Sequence, residues 1–294
     1  MNCPIEIMRY LTLNNESKIS MESTTTLTDV KPSPSANISE THTKEFFQNH
    51  EKRQDVYMFL ANELRRIFTD YDISHTDKII DVGCGNGYLV KNLLLLGFNA
   101  FGIDGSNNAQ EYWSAMRERF DVKDVCDANT MIDGNVILSF EVGEHLPKES
   151  ASTYIGNLTR SNPKLIVFSA ATPFQDYGRN PLHINEQPFE YWLNLFHERG
   201  FHMNVEKTLL IRERMLDNMS VYMNVWWYPK NILIIESLSQ ESLLSEGNSQ
   251  REYTIPNHVP RLGANSKGMD LLFERDHYML LYNAYRELSI NKIK

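Results

Sequence analysis

At 294 residues and 41% apolar, the chain is long enough to bury a sizeable core. Its 29 Lys and Arg against 38 Asp and Glu leave a net charge of −9, which disfavours nonspecific attraction to phosphate backbones and leaves only a local basic groove open to nucleic acid. Three cysteines without a C-x-x-C pair exclude a secreted disulfide framework, and with no basic leader and no membrane-length apolar run the expectation is a cytoplasmic protein that does not enter a membrane.

Residues 1–43 are read as a Ser/Thr-rich tail: 12 of the 27 residues from Ser17 to Thr43 are Ser or Thr, and Pro32 and Pro34 add breaks. From Lys44 to Phe68 the spacing of Phe47, Val56, Phe59, Leu60, Leu64 and Ile67 predicts an amphipathic helix. A strand is predicted near 78–82. It runs into Asp81-Val82-Gly83-Cys84-Gly85-Asn86-Gly87, where three glycines alternate and a helix begins near Tyr88. Glycine lets backbone turn with φ > 0 and lie close to a ligand, while a helix start offers unpaired N–H groups. A dinucleotide fingerprint would need a third glycine at the position of Tyr88, which weakens an NAD reading. Cys84 is read as a small loop filler.

The leucine-rich helix stops at Gly97, and a strand over 99–103 ends on Asp104. Further strands are predicted near 120–125, 135–140 and 164–169, alternating with helical stretches as in an open, mostly parallel sheet covered on both faces. After the fourth strand comes Glu141-Val142-Gly143-Glu144-His145-Leu146-Pro147. One helical turn there would put Glu141, Glu144 and His145 on a common side, and Pro147 suits the start of the next helix. Two carboxylates and an imidazole could hold a metal; alternatively Glu144 and His145 bond each other and the backbone. Past the fifth strand, His183-Ile184-Asn185-Glu186-Gln187-Pro188 enters a helix whose Phe189, Trp192, Leu193 and Phe196 share an apolar face. Two more strands are expected in Lys207 to Arg212 and Val221 to Ile235, with the pair Trp226-Trp227 packing a hairpin. A polar linker and a Leu/Tyr/Met-rich last helix complete residues 237–294, the helix being a candidate homodimer surface.

The D-x-G-x-G-x-G loop with a second acid one βα unit later resembles motif I of the class I S-adenosylmethionine-dependent methyltransferases, over about Lys44 to Glu236. The resemblance implies a doubly wound, mostly parallel seven-stranded α/β sheet with a C-terminal antiparallel hairpin. It implies a cofactor site of Asp81, Gly83, Gly85, Gly87, Asp104, Asp124 and Glu141 for S-adenosylmethionine. Asp104 would take the ribose hydroxyls and Asp124 the adenine amino group, with Asp127 competing for the latter. E-V-x-E-H-x-P resembles the loop of the ubiquinone-pathway O-methyltransferases and of the small-RNA 3′-terminal 2′-O-methyltransferases. From the latter, Glu141, Glu144, His145 and His183 are implied as ligands to Mg²⁺ or Mn²⁺. Without a metal, His183 or His145 is the candidate general base. H-I-N-E-Q-P-x-x-Y-W resembles methyltransferases met beside glycan genes, so the expected activity is O-methylation of a sugar, glycan or other small molecule. An RNA 2′-O-methyltransferase and a noncatalytic cofactor-binding partner subunit are the alternatives.

Overall fold

The computed structural model describes residues 42–51, 53–173, 175, 180–222 and 225–237. Almost all of the expected N-terminal tail, and the linker with the last helix, lie outside them. Helices α1 (Lys44–Glu51) and α2 (Gln54–Asp70) precede β1 (Lys78–Val82), α3 (Tyr88–Leu95) and β2 (Asn99–Asp104). Then come 3-10 turns at Asn107–Tyr112 and Ser114–Arg119, β3 (Phe120–Val122), β4 (Val136–Phe140), α4 (Ala151–Thr159) and β5 (Leu165–Ser169). The last elements are α5 (Phe189–His197), β6 (Phe201–Met203), α6 (Val205–Asp217), α7 (Met219–Tyr222), α8 (Trp227–Asn231) and β7 (Leu233–Ser237).

The seven strands lie in the order β3-β2-β1-β4-β5-β7-β6. Pairings are parallel except for β7, which runs antiparallel to both β5 and β6. Strands β4 and β5 are buried at all five positions because helices cover both faces. Side chains alternate between those faces. Ile79, Val136, Leu138 and Val167 meet Leu60, Leu64 and Ile67 of α2, Leu89 and Leu93 of α3, and Ile211 and Met215 of α6. Ile80, Ile137, Ile166 and Phe168 meet Tyr154 and Leu158 of α4 and Trp192, Leu193 and Phe196 of α5. Each fully buried Leu or Ile contributes about 2 kcal/mol by area removed from water. Among the described residues no helix is long and apolar enough to cross a membrane.

The predicted helix over 44–68 divides in two, and Phe59 is 42% exposed, off the buried stripe of Val56, Leu60, Leu64 and Ile67. The third strand ends at Val122, short of 125. Lys207–Arg212 is helix, not strand. Asn204 caps α6 by accepting from the Lys207 N–H, and the buried residues Thr208, Ile211 and Met215 recur at helical spacing. Val221 to Ile235 is largely helical as well, and only Leu233–Ser237 forms a strand. The Trp pair therefore sits at the start of α8, with Arg53 over Trp227 and Lys230 over Trp226, and not on a hairpin. The hairpin partner of β7, besides its antiparallel pairing with β5, is the three-residue β6, which precedes it across residues 204–232.

Candidate functional site

Neighbours of β1 depart in opposite directions, β2 on one side and β4 on the other, so the crevice at its carboxyl end is the topological switch point where such sheets seat ligands. The glycine loop lies there. Gly83, Gly85 and Gly87 have φ of +77°, +51° and +74°. At Gly83 a Cβ would also run into the Val142 side chain, so glycine is required both by conformation and by the approach of the loop after β4. Gly87 caps α3 in the left-handed region, where a Cβ would strike Phe120.

Asp104, at the tip of β2, organises this crevice. Its Oδ2 accepts from the Gly85 N–H at 2.9 Å and its Oδ1 from the Ser106 N–H at 2.8 Å, so one carboxylate ties the glycine loop to the segment after β2. Burial raises its pKa, and those two amides and the His42 charge act against the rise. Asp81 is 4% exposed, and burial followed by the negative charge of Asp104 pushes its carboxyl up to about 8. Burial also holds Cys84 protonated, consistent with a filler and not a nucleophile. After β3, Asp124 is half-buried and accepts from the Cys126 N–H, whereas Asp127 is exposed and caps Asn129.

The loop after β4 makes its turn: Gly143–His145 is a 3-10 segment in which the His145 N–H donates to the Val142 carbonyl. Gly143 is glycine because the Trp192 indole lies where a side chain would go. Asn185, 2% exposed, clamps this turn through its own N–H to the Glu144 carbonyl and its Nδ2 to the Gly143 carbonyl. The clamp carries His183 to His145, with ring centroids 5.0 Å apart and edge to face. Ligand-capable atoms of Glu144, His145 and His183 lie within 4.8 Å of one another. Imidazole Nδ1 of His145 donates to the Leu182 carbonyl at 3.0 Å, and Nδ1 of His183 donates to Glu186 Oε1 at 2.9 Å. Both tautomers thereby put the lone pair on Nε2.

The mutually close group holds three of the four expected metal residues; Glu141 lies beside Glu144 but is engaged on its other side. A φ of +55° at Glu141 turns its carboxylate toward Gln175 and Asn231, which donate to it at 2.9 and 3.2 Å. Asn231 also donates to Gln175, closing a triad in which both amides are buried and the carboxylate is half-buried. Neither Gln175 nor Asn231 was foreseeable from local spacing, since they lie 34 and 90 positions from Glu141. Glu144 is fully buried, and neither of its carboxylate oxygens has a hydrogen-bond partner. Burial and then the charge of Glu141 raise its pKa well above the carboxylate range.

The sheet order, with a single antiparallel strand inserted between the last two positions, decides the architecture. It is the doubly wound, mostly parallel seven-stranded α/β arrangement that the motif resemblance implies. No family model and no curated protein matches the sequence. Solved structures with a similar arrangement include magnesium protoporphyrin IX methyltransferase of Synechocystis with bound S-adenosylmethionine, at 16% identity and TM-score 0.47, covering 60% of this chain and 90% of that one. A SAM-dependent methyltransferase of Archaeoglobus fulgidus shares 18% identity at TM-score 0.45, over 53% of this chain and 74% of the other. A TehB-like SAM-dependent methyltransferase of Corynebacterium glutamicum shares 19% at TM-score 0.40, over 56% and 84%.

Proposed function

We propose that this chain is an S-adenosylmethionine-dependent methyltransferase acting on the oxygen of a sugar, glycan or other small molecule. The observation that carries the reading is Asp104 bridging Gly85 and Ser106 beside a buried Asp81, at the mouth of a loop built from left-handed glycines. A buried Asp81 whose ionisation is made costlier by the neighbouring, half-buried Asp104 suits a ligand that brings positive charge and hydroxyl donors together. A sulfonium nucleoside with an ammonium group is such a ligand. Bound there, it supplies an electrophilic methyl with a neutral thioether as leaving group.

The chain's own residues then do the rest. Asp104 takes the ribose hydroxyls, and Asp124 the adenine side. His183, its tautomer fixed by Glu186, offers Nε2 to the acceptor O–H and receives that proton as the C–O bond forms and the C–S electron pair stays on sulfur. Asn185 holds the acceptor-facing segment on the 143–145 turn, so orientation supplies much of the rate.

The second reading, an RNA 2′-O-methyltransferase using a divalent ion, is favoured by one observation: Glu144, His145 and His183 converge, with a buried Glu144 that has no partner. The donor set fits Mg²⁺ or Mn²⁺, which when bound would lower the pKa of a coordinated hydroxyl. Labelled methyl transfer against fractionated cell extract, with and without chelator, tests both. Label in small-molecule or glycan fractions that survives chelation supports the first; chelator-sensitive label in RNA replaces it with the second, and no label in any fraction removes both.

The charge on Asp81 gives a pH prediction. In the ligand-free fold its carboxyl titrates at about 8, against 3.8 ordinarily, so between those values the folded state binds a proton that the unfolded chain does not. Ligand-free stability therefore falls as pH rises through that window. A cationic ligand needs the ionised form, so its binding releases a proton and tightens as pH climbs toward 8. Asp81→Asn flattens both dependences, as read by thermal melts and by calorimetry in buffers of different ionisation enthalpy.

A further inference from the structure

Residues 42–51 cross the carboxyl edge of the sheet and are tied to both walls of the crevice. On the glycine-loop side, Asn86 Nδ2 donates to the Phe47 carbonyl at 2.9 Å. On the side of β2, Ser106 Oγ and Asn108 Nδ2 donate to the His42 carbonyl at 3.2 and 2.9 Å, and Lys44 pairs with Glu111. Phe47 is 1% exposed, packs against Tyr112 and sits in van der Waals range of any side chain that Gly85 could carry. These anchors belong to the glycine loop and to the turn that follows Asp104.

His42 occupies the middle. Its half-buried ring meets His145 edge to face, at 5.1 Å between centroids, and His145 meets His183 in the same manner at 5.0 Å. In the other direction its charge reaches the Asp104 carboxylate. A ligand whose ribose engages Asp104 while its reactive carbon points at the imidazole pair must pass against this ring.

We propose that residues 42–51 are a strap tightened by the cofactor, and that His42 is a positioning residue that lies along the sugar of a sulfonium nucleoside and fixes the ring of His145 toward the acceptor. The proposal rests on the methyltransferase reading for the identity of the ligand. Its physical basis is linkage: the same backbone that cradles the ligand holds the strap, so occupancy of one stabilises the other.

The test uses the full chain with S-adenosylhomocysteine as probe, followed by calorimetry and by hydrogen exchange of residues 43–51. Binding should slow exchange in the strap about tenfold or more, and His42→Ala should weaken affinity about tenfold without lowering the ligand-free melting temperature. His42→Phe, which keeps an edge-to-face ring against His145, should recover affinity to within about threefold, and Asn108→Ala, which removes one of the two donors to the His42 carbonyl, should lose part of the protection. Binding heat with unchanged strap exchange, or His42→Ala binding as tightly as the native chain, overturns the strap alone. No heat with the native chain overturns the methyltransferase reading and the strap with it.

Discussion

Asp104→Asn should abolish most cofactor binding while leaving a folded protein: calorimetry with S-adenosylhomocysteine is expected to show an affinity loss of about hundredfold or more, close to 3 kcal/mol. Both oxygens of Asp104 already accept backbone N–H groups, from Gly85 and Ser106. An amide can present only one acceptor, so its NH₂ must face one of those N–H groups. The loop then shifts at Gly85, where the backbone has to lie against the ligand, and the ribose loses an anionic acceptor as well. Global stability suffers less, because the native carboxylate is itself penalised by burial. Asp124→Asn is the internal comparison. The Asp124 carboxylate accepts one backbone N–H, that of Cys126, so about tenfold or less is expected. Equal losses at the two positions would show that the crevice is not organised around the tip of β2.

The parts of this architecture that could be read from sequence are those fixed by local chemistry. Three alternating glycines and a strand-end acid require a particular backbone whatever surrounds them, and Gly97, at φ +87°, stops α3 as a C-terminal glycine does. Five-residue apolar runs such as Val136–Phe140 and Leu165–Ser169 are legible because strands covered on both faces need no alternation. Lys207–Arg212 misled for the complementary reason: Thr-Leu-Leu-Ile reads as a buried strand, but the decisive pattern is Thr208, Ile211 and Met215, with the Asn204 cap three residues ahead of Lys207. That cap was the available signal. The pair β6 and β7 depends on tertiary pairing, and a three-residue strand at 201–203 carries too little periodicity to announce itself.

Within the site the boundary falls in the same place. Glu144, His145 and His183 are brought together by a 3-10 turn and by the Asn185 clamp, and the turn was inferable from spacing. The left-handed backbone at Glu141 was not, because a non-glycine residue is held there by partners distant in sequence, Ser169, Gln175 and Asn231. His42 was hidden more deeply. It stands at the end of a Ser/Thr-rich stretch, and only the fold reveals that its ring reaches His145.

The second large effect is expected at His183. His183→Ala should lower methyl transfer about 10²- to 10⁴-fold while S-adenosylhomocysteine affinity stays within about twofold, because the imidazole serves the acceptor side and the cofactor is held elsewhere. Geometry supports the separation. His183 is anchored by Glu186 and delivered by Asn185 on the segment entering α5, whereas Asp81, Asp104 and the glycines belong to β1, β2 and their loop. Glu186→Gln keeps a side-chain oxygen for Nδ1 but loses the charge, so a smaller fall of about tenfold is expected. His145→Ala distinguishes roles within the pair. If His183 is the base and His145 its neighbour, His145→Ala costs less than His183→Ala and the cost falls mainly on the acceptor KM. If both fall equally and added Mn²⁺ restores neither, the two imidazoles act as one unit and a single-base mechanism fails. Retained turnover in His183→Ala would move the proton acceptor away from this segment altogether.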